Sequence, residues 1–167
     1  PEGRIFSALP VRGDVAVFEH PHFERVMIKR VIGLPGDRVE MVNGQISLNG
    51  DPIQTEFVRS YNYTPQQRNY AVTTVEARET IGEKSWYAHQ WQNAPQWDNP
   101  PVFEVPEGHI LFIGDNRDNS LDGRVTGLHD YVSGGHCPSD ADGVIRTAGC
   151  EVFGPADKLS IGFVPVN

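Results

Sequence analysis

VEMVNGQISL, residues 39–48, decides the fold. Val39-Glu40-Met41-Val42 and Gln45-Ile46-Ser47-Leu48 each alternate apolar and polar residues, and they flank Asn43-Gly44. Such a dipeptide between alternating segments predicts a hairpin closed by a type I′ turn, because both central residues need positive φ. Asn49-Gly50 marks the next turn. Working outward, Val15-Ala16-Val17-Phe18 follows a Gly-Asp turn and predicts a strand. Residues 25–32 form a β-branched run that ends at Gly33-Leu34-Pro35-Gly36-Asp37, a compact turn. No stretch of helical length combines a helical period with caps and freedom from Gly and Pro.

Residues 54–101 differ in character. They are rich in Gln, Asn, Tyr and Trp, with Trp86, Trp91 and Trp97 close together. Strand pattern survives at 70–75. This stretch reads as a β-rich excursion inserted in a discontinuous core made of residues 1–53 and 102–167. Residues 108–113 return to core strand, 125–155 are Gly/Asp-rich and loop-like, and 162–166 begin another strand. There is no internal repeat and no low-complexity tract. The fold class is therefore mainly β.

The chain has 167 residues and a net charge of −8, from 14 basic and 22 acidic residues. That balance argues against a nucleic-acid partner, which needs a clustered basic face. No window approaches the apolar length of a transmembrane helix, and no signal peptide is present. The first residue is Pro rather than Met, so an upstream part is expected. Cys137 and Cys150 lie within one Gly/Asp/Ser-rich stretch, which suggests a local disulfide and an oxidising compartment. Neither has a neighbour at metal-ligand spacing.

Two stretches carry candidate chemistry. Lys29 sits in Val26-Met27-Ile28-Lys29-Arg30-Val31-Ile32, where its same-face strand neighbours are Met27 and Val31. Burial there disfavours the ammonium and lowers the pKa, and a lysine so lowered is a usable general base. The plain alternative is an edge lysine facing water. The second stretch is GDNRDNSLDGR, residues 114–124. Its Asp118, Ser120, Asp122 and Gly123 match the first half of a calcium loop, but the position of the bidentate acid falls on His129. The alternative is a rigid polar knot in which Asp115, Asp118 and Asp122 interleave with Arg117 and Arg124 around Ser120. No serine is flanked as an activated nucleophile.

Three segments together resemble the boxes of bacterial type I signal peptidases (leader peptidases). Arg12-Gly13-Asp14-Val15-Ala16-Val17-Phe18 resembles the RGD-V-VF box. Ile28-Lys29-Arg30-Val31-Ile32-Gly33-Leu34-Pro35-Gly36-Asp37 resembles the KR-V-GLPGD box. Residues 114–124 resemble the GDNRDNS-DSR box, with Gly123 in place of the usual Ser. Arg78-Glu79-Thr80-Ile81-Gly82 and Gly162-Phe163-Val164-Pro165 resemble further pieces of the family, and residues 54–101 and 125–155 match only loosely.

The resemblance implies a largely β fold with a conserved core and an inserted second β subdomain. It implies a membrane-anchored endopeptidase with a serine/lysine dyad, needing no metal or other cofactor. Its partners would be signal peptides of secreted preproteins, cut after an Ala-x-Ala site, and the surface of the bacterial cytoplasmic membrane on its outer, periplasmic side. By motif position, Lys29 matches the general base and Ser120 the hydroxyl that orients it. Arg30, Asp115, Asp122 and Arg124 match positions that support the site through ion pairs. The family's nucleophile lies in a Ser-Met box upstream of the RGD box. No such pair occurs here, so the chain by itself is expected to be inactive. The Trp-rich stretch could meet the lipid interface or pack internally. Related readings are a conjugation- or pilin-type peptidase of the same superfamily and a non-catalytic β domain that binds peptides or membrane. A self-cleaving repressor is disfavoured by the acidic charge and the lack of a helix-turn-helix.

Overall fold

The computed structural model describes residues 10–20, 25–94, 98–100, 102–105, 110–124, 144–146 and 162–164. The described elements are strands, plus one 3-10 turn at Arg117–Asn119. The hairpin at 39–48 forms as its turn dipeptide predicts. β3 (Arg38–Val42) pairs antiparallel with β4 (Gln45–Leu48), and the turn residues Asn43 and Gly44 take φ of 49° and 80°. Asn49 and Gly50 repeat the geometry with φ of 55° and 94° and lead into β5 (Asp51–Pro52).

The first sheet is built on β1 (Val15–His20) and β2 (Arg25–Gly33), which pair antiparallel. With β10 (Leu111–Ile113) and β12 (Gly162–Val164) it runs in the order β10-β2-β1-β12. In the second sheet, β9 (Val102–Glu104) pairs with β3, and β11 (Val144–Arg146) lies parallel to β9. That last strand falls within the stretch read as loop-like. Three residues of β pattern between glycine-rich flanks are too few to give a periodicity.

Residues 54–91 make the third sheet. β6 (Gln54–Tyr63), β7 (Val72–Ile81) and β8 (Lys84–Trp91) pair in that order, with no ladder to the other two sheets among the described residues. The third sheet nonetheless shares their core. Trp86 is buried in one apolar cluster with Phe18, Val31, Ile32, Val39, Phe103 and Phe112. Phe18 and Phe112 stack at 4.5 Å between ring centroids. Trp86 and Trp91 are buried, at 4% and 5% exposure, and each indole N–H donates inside the protein. These two tryptophans therefore pack internally instead of meeting lipid; Trp97 lies outside the described residues, as do Cys137 and Cys150.

Candidate active site

Two turns, one before β1 and one after β2, hold the C-terminal end of β2 and so fix the position of Lys29. Gly13, at φ 84°, donates its N–H to Val31 O at 2.8 Å, and Val31 N–H donates back to Asp14 O at 2.8 Å. The turn at 33–37 is locked by Asp37. Its carboxylate accepts from Leu34 N (2.6 Å), Asn49 Nδ2 (3.0 Å) and Arg12 Nη1 (2.5 Å). Burial alone would raise the Asp37 carboxyl, but these donors and the Arg12 charge outweigh it and hold it below the usual carboxylate range. Arg12 also donates to Ile32 O. The Arg-Gly-Asp turn and the Gly-Leu-Pro-Gly-Asp turn thus clasp β2 at one end.

Lys29 lies mid-strand, opposite Ala16 of β1. As the alternation predicts, Val31 is buried and Met27 packs against the core. The Lys29 ammonium is accordingly disfavoured. Burial is the main cause of a pKa below the ordinary 10.5; Asp122 opposes the shift, Arg124 adds to it, and Asp115 opposes it. Lys29 Nζ donates to Ser120 Oγ at 2.7 Å, a contact between residues ninety-one positions apart.

The polar stretch at 114–124 presents Ser120. Gly114 follows β10 and leaves room for the hydroxyl: a Cβ at that position would lie 2.0 Å from Ser120 Oγ. Gly114 N–H donates to Asp122 Oδ2 at 2.8 Å. Asp122 is fully buried and accepts from Arg124 Nε at 2.9 Å and Nη2 at 2.8 Å. Burial would raise the Asp122 carboxyl, but the Arg124 fork and the N–H groups of Gly114 and Arg124 hold it below the usual range. Arg124 Nη2 also donates to Arg117 O at 2.6 Å. Arg30 forms a two-pronged pair with Asp115, at 2.8 and 2.6 Å, and donates to Gly13 O. Ser120, Lys29, Arg30, Asp115, Asp122 and Arg124 are therefore one connected constellation.

The oxygens of a calcium half-loop do not converge here. Asp118 Oδ2 accepts from Trp91 N–H at 2.6 Å, Asp122 is occupied by Arg124, and Ser120 by Lys29. Burial pushes the Asp118 carboxyl up, against the Trp91 N–H.

The family model described as "Signal peptidase, peptidase S26" matches residues 6–134. The chain belongs to this family. Among curated relatives, Signal peptidase I of Rickettsia massiliae is 37% identical over 133 residues, which covers 74% of this chain and 48% of that protein. Signal peptidase I of Rickettsia canadensis is 38% identical over the same shares. The chain spans about half the length of the curated relatives it matches. A crystal structure of a signal peptidase I from Enterococcus faecalis is 24% identical, covers 70% of this chain and 86% of that one, and superimposes with a TM-score of 0.37.

Of the side chains picked from the sequence, Lys29, Arg30, Asp115, Ser120, Asp122 and Arg124 come together, while Asp118 turns to Trp91 and Arg117 to Glu79. What sequence reasoning missed is the share taken by the third sheet. Arg30's guanidinium lies 4.7 Å over the Trp86 ring, Lys84 pairs with Asp14, and His89 N–H donates to Asp115 O at 2.7 Å. Glu79 and Arg117 form a pair buried to 4% on each side. The signals for this pair were a glutamate in an alternating strand run that also resembles a piece of the family and an arginine in the polar stretch, but alternation does not say which face is buried.

Proposed function

We propose that this chain carries the general-base half of a serine/lysine endopeptidase that removes signal peptides from exported preproteins. The observation that carries the reading is the 2.7 Å bond from a half-buried Lys29 to Ser120 Oγ, in a chain of the signal peptidase family. An ordinary lysine is neutral in fewer than about one molecule in a thousand at pH 7. Desolvated Lys29 is neutral more often, and its amine is aimed by a hydroxyl that the surrounding ion pairs hold still.

In this reading neutral Lys29 takes the proton from a serine hydroxyl as that oxygen attacks the carbonyl after a small residue of an Ala-x-Ala site. Lys29 then gives the proton to the departing amine, and water releases the acyl group by the same route in reverse. Ser120 orients the amine instead of attacking, since its oxygen is enclosed between Gly114 and Lys29. The attacking serine belongs to a Ser-Met pair, which the 167 residues do not contain, so the chain alone has no peptidase activity. Catalysis takes place at the outer face of the cytoplasmic membrane, and residues 54–101 form a subdomain inserted in the catalytic core.

Lys29→Ala in the full-length protein is expected to abolish preprotein processing, by roughly a thousandfold or more, while circular dichroism remains that of the wild type. Processing at the wild-type rate would remove Lys29 from the mechanism.

A further inference from the structure

Glu79 lies in β7 of the third sheet, outside the boxes that carry Lys29 and Ser120. It is 3% exposed, and one of its oxygens does two things. Oε2 accepts from Trp86 Nε1 at 2.9 Å and from Arg117 Nη2 at 2.5 Å. The Trp86 arm leads to the lysine's strand: the indole lies beneath Arg30, which is bonded to Asp115 and Gly13 O. The Arg117 arm leads to the serine. Arg117 Nε donates to Gly114 O at 3.1 Å, and Gly114 is the residue against which Ser120 Oγ rests. Arg117 O in turn accepts from Arg124, the partner of Asp122.

We propose that Glu79 is a positioning residue for Lys29 and Ser120, setting their separation from the third sheet by holding Trp86 and Arg117 on a single carboxylate oxygen. This rests on the general-base reading of Lys29. Glu79 touches neither reacting group and acts through Arg117 and Trp86. Its charge has a second task. Arg117 is 3% exposed, and the carboxylate paired with it is Glu79. Without that anion the guanidinium must either stay buried and uncompensated or swing toward water. Swinging out releases the Gly114 carbonyl, and the Ser120 hydroxyl loses its fixed seat. A catalytic pair is sensitive to such loosening, because small displacements of an aiming group cost rate more than binding.

The test is processing kinetics in the full-length protein, measured against pH. Glu79→Gln keeps the side-chain shape and an acceptor for Trp86 but removes the charge. We expect kcat to fall roughly tenfold or more with KM within about twofold. The acidic limb of the pH profile should move up, toward an ordinary lysine, because water reaches an amine whose main perturbation is burial. Arg117→Gln should behave alike, and the double variant Glu79→Gln/Arg117→Gln should be no worse than Arg117→Gln alone. A Glu79→Gln protein with wild-type kcat and pH profile overturns the proposal, even if its melting temperature drops. Should that variant not fold, Trp86→Phe keeps a ring beneath Arg30 and removes the indole donor together with part of the buried ring. It should lower kcat by roughly two- to fivefold with the same direction of pH shift, and an unchanged kcat overturns the proposal. Lys29→Ala in the same assay separates the two ideas. If Lys29→Ala is dead and Glu79→Gln is normal, only the positioning role fails.

Discussion

The turn at 114–124 and the exposed face of the β6–β7 pair in the third sheet use the same residue types in opposite settings. Arg124 and Asp122 meet at 2.8 Å with side chains 1% and 0% exposed. Arg78 and Glu56 meet at 2.5 Å, a shorter contact, with side chains 48% and 47% exposed. Distance does not rank these pairs; solvent does. The exposed pair exchanges water for protein and back at little gain, and salt screens it. The buried pair has no water to fall back on, so each partner is held by the need to satisfy the other. The fold has thus placed its obligatory pairs around Lys29 and its dispensable ones on the rim.

Arg124→Ala is the harshest way to probe this contrast. It leaves Asp122 ionised, buried and unpaired, and the expected loss is about 3–5 kcal/mol of unfolding free energy. Chemical denaturation measures it, and a loss below roughly 1 kcal/mol would make the buried and exposed pairs equivalent. At the small end, Arg78→Ala should leave the melting temperature and the processing rate where they are, and high salt should not widen the gap from wild type. A clear drop in melting temperature for Arg78→Ala would mean that the rim pair is structural after all.

How far the sequence could be read follows the same division. The hairpin at 39–48 was legible because its turn needs residues that tolerate positive φ, and Asn43-Gly44 names them. The burial of Lys29 was legible in outline, because period-two alternation puts Met27 and Val31 on its face. Its partner was not legible from periodicity: Ser120 is ninety-one positions away, and motif resemblance supplied it. The contact that joins Glu79 to Trp86 and Arg117 was not legible, although Arg117 stood out in the polar knot and Glu79 in a stretch of family resemblance. A strand's alternation gives two faces, and only the packing of the third sheet onto the core decides that Glu79 faces Arg117 while Arg78 faces Glu56 and water. The strand Val144–Arg146 escaped for a different reason, being shorter than one reading of the pattern.

The central claim is that burial makes Lys29 a base. Between the lowered folded pKa and the ordinary 10.5, the unfolded lysine holds a proton that the folded one lacks. Fold stability therefore rises with pH across that window, and the burial penalty is constant below it. Processing climbs with pH through the same folded value, because the base acts when neutral. The direct measurement is an NMR titration of isotope-labelled lysine at Cε, with Lys29→Ala to assign the Lys29 signal. The account predicts that the assigned resonance titrates with a midpoint below 10.5. A Lys29 midpoint at or above that value would contradict it.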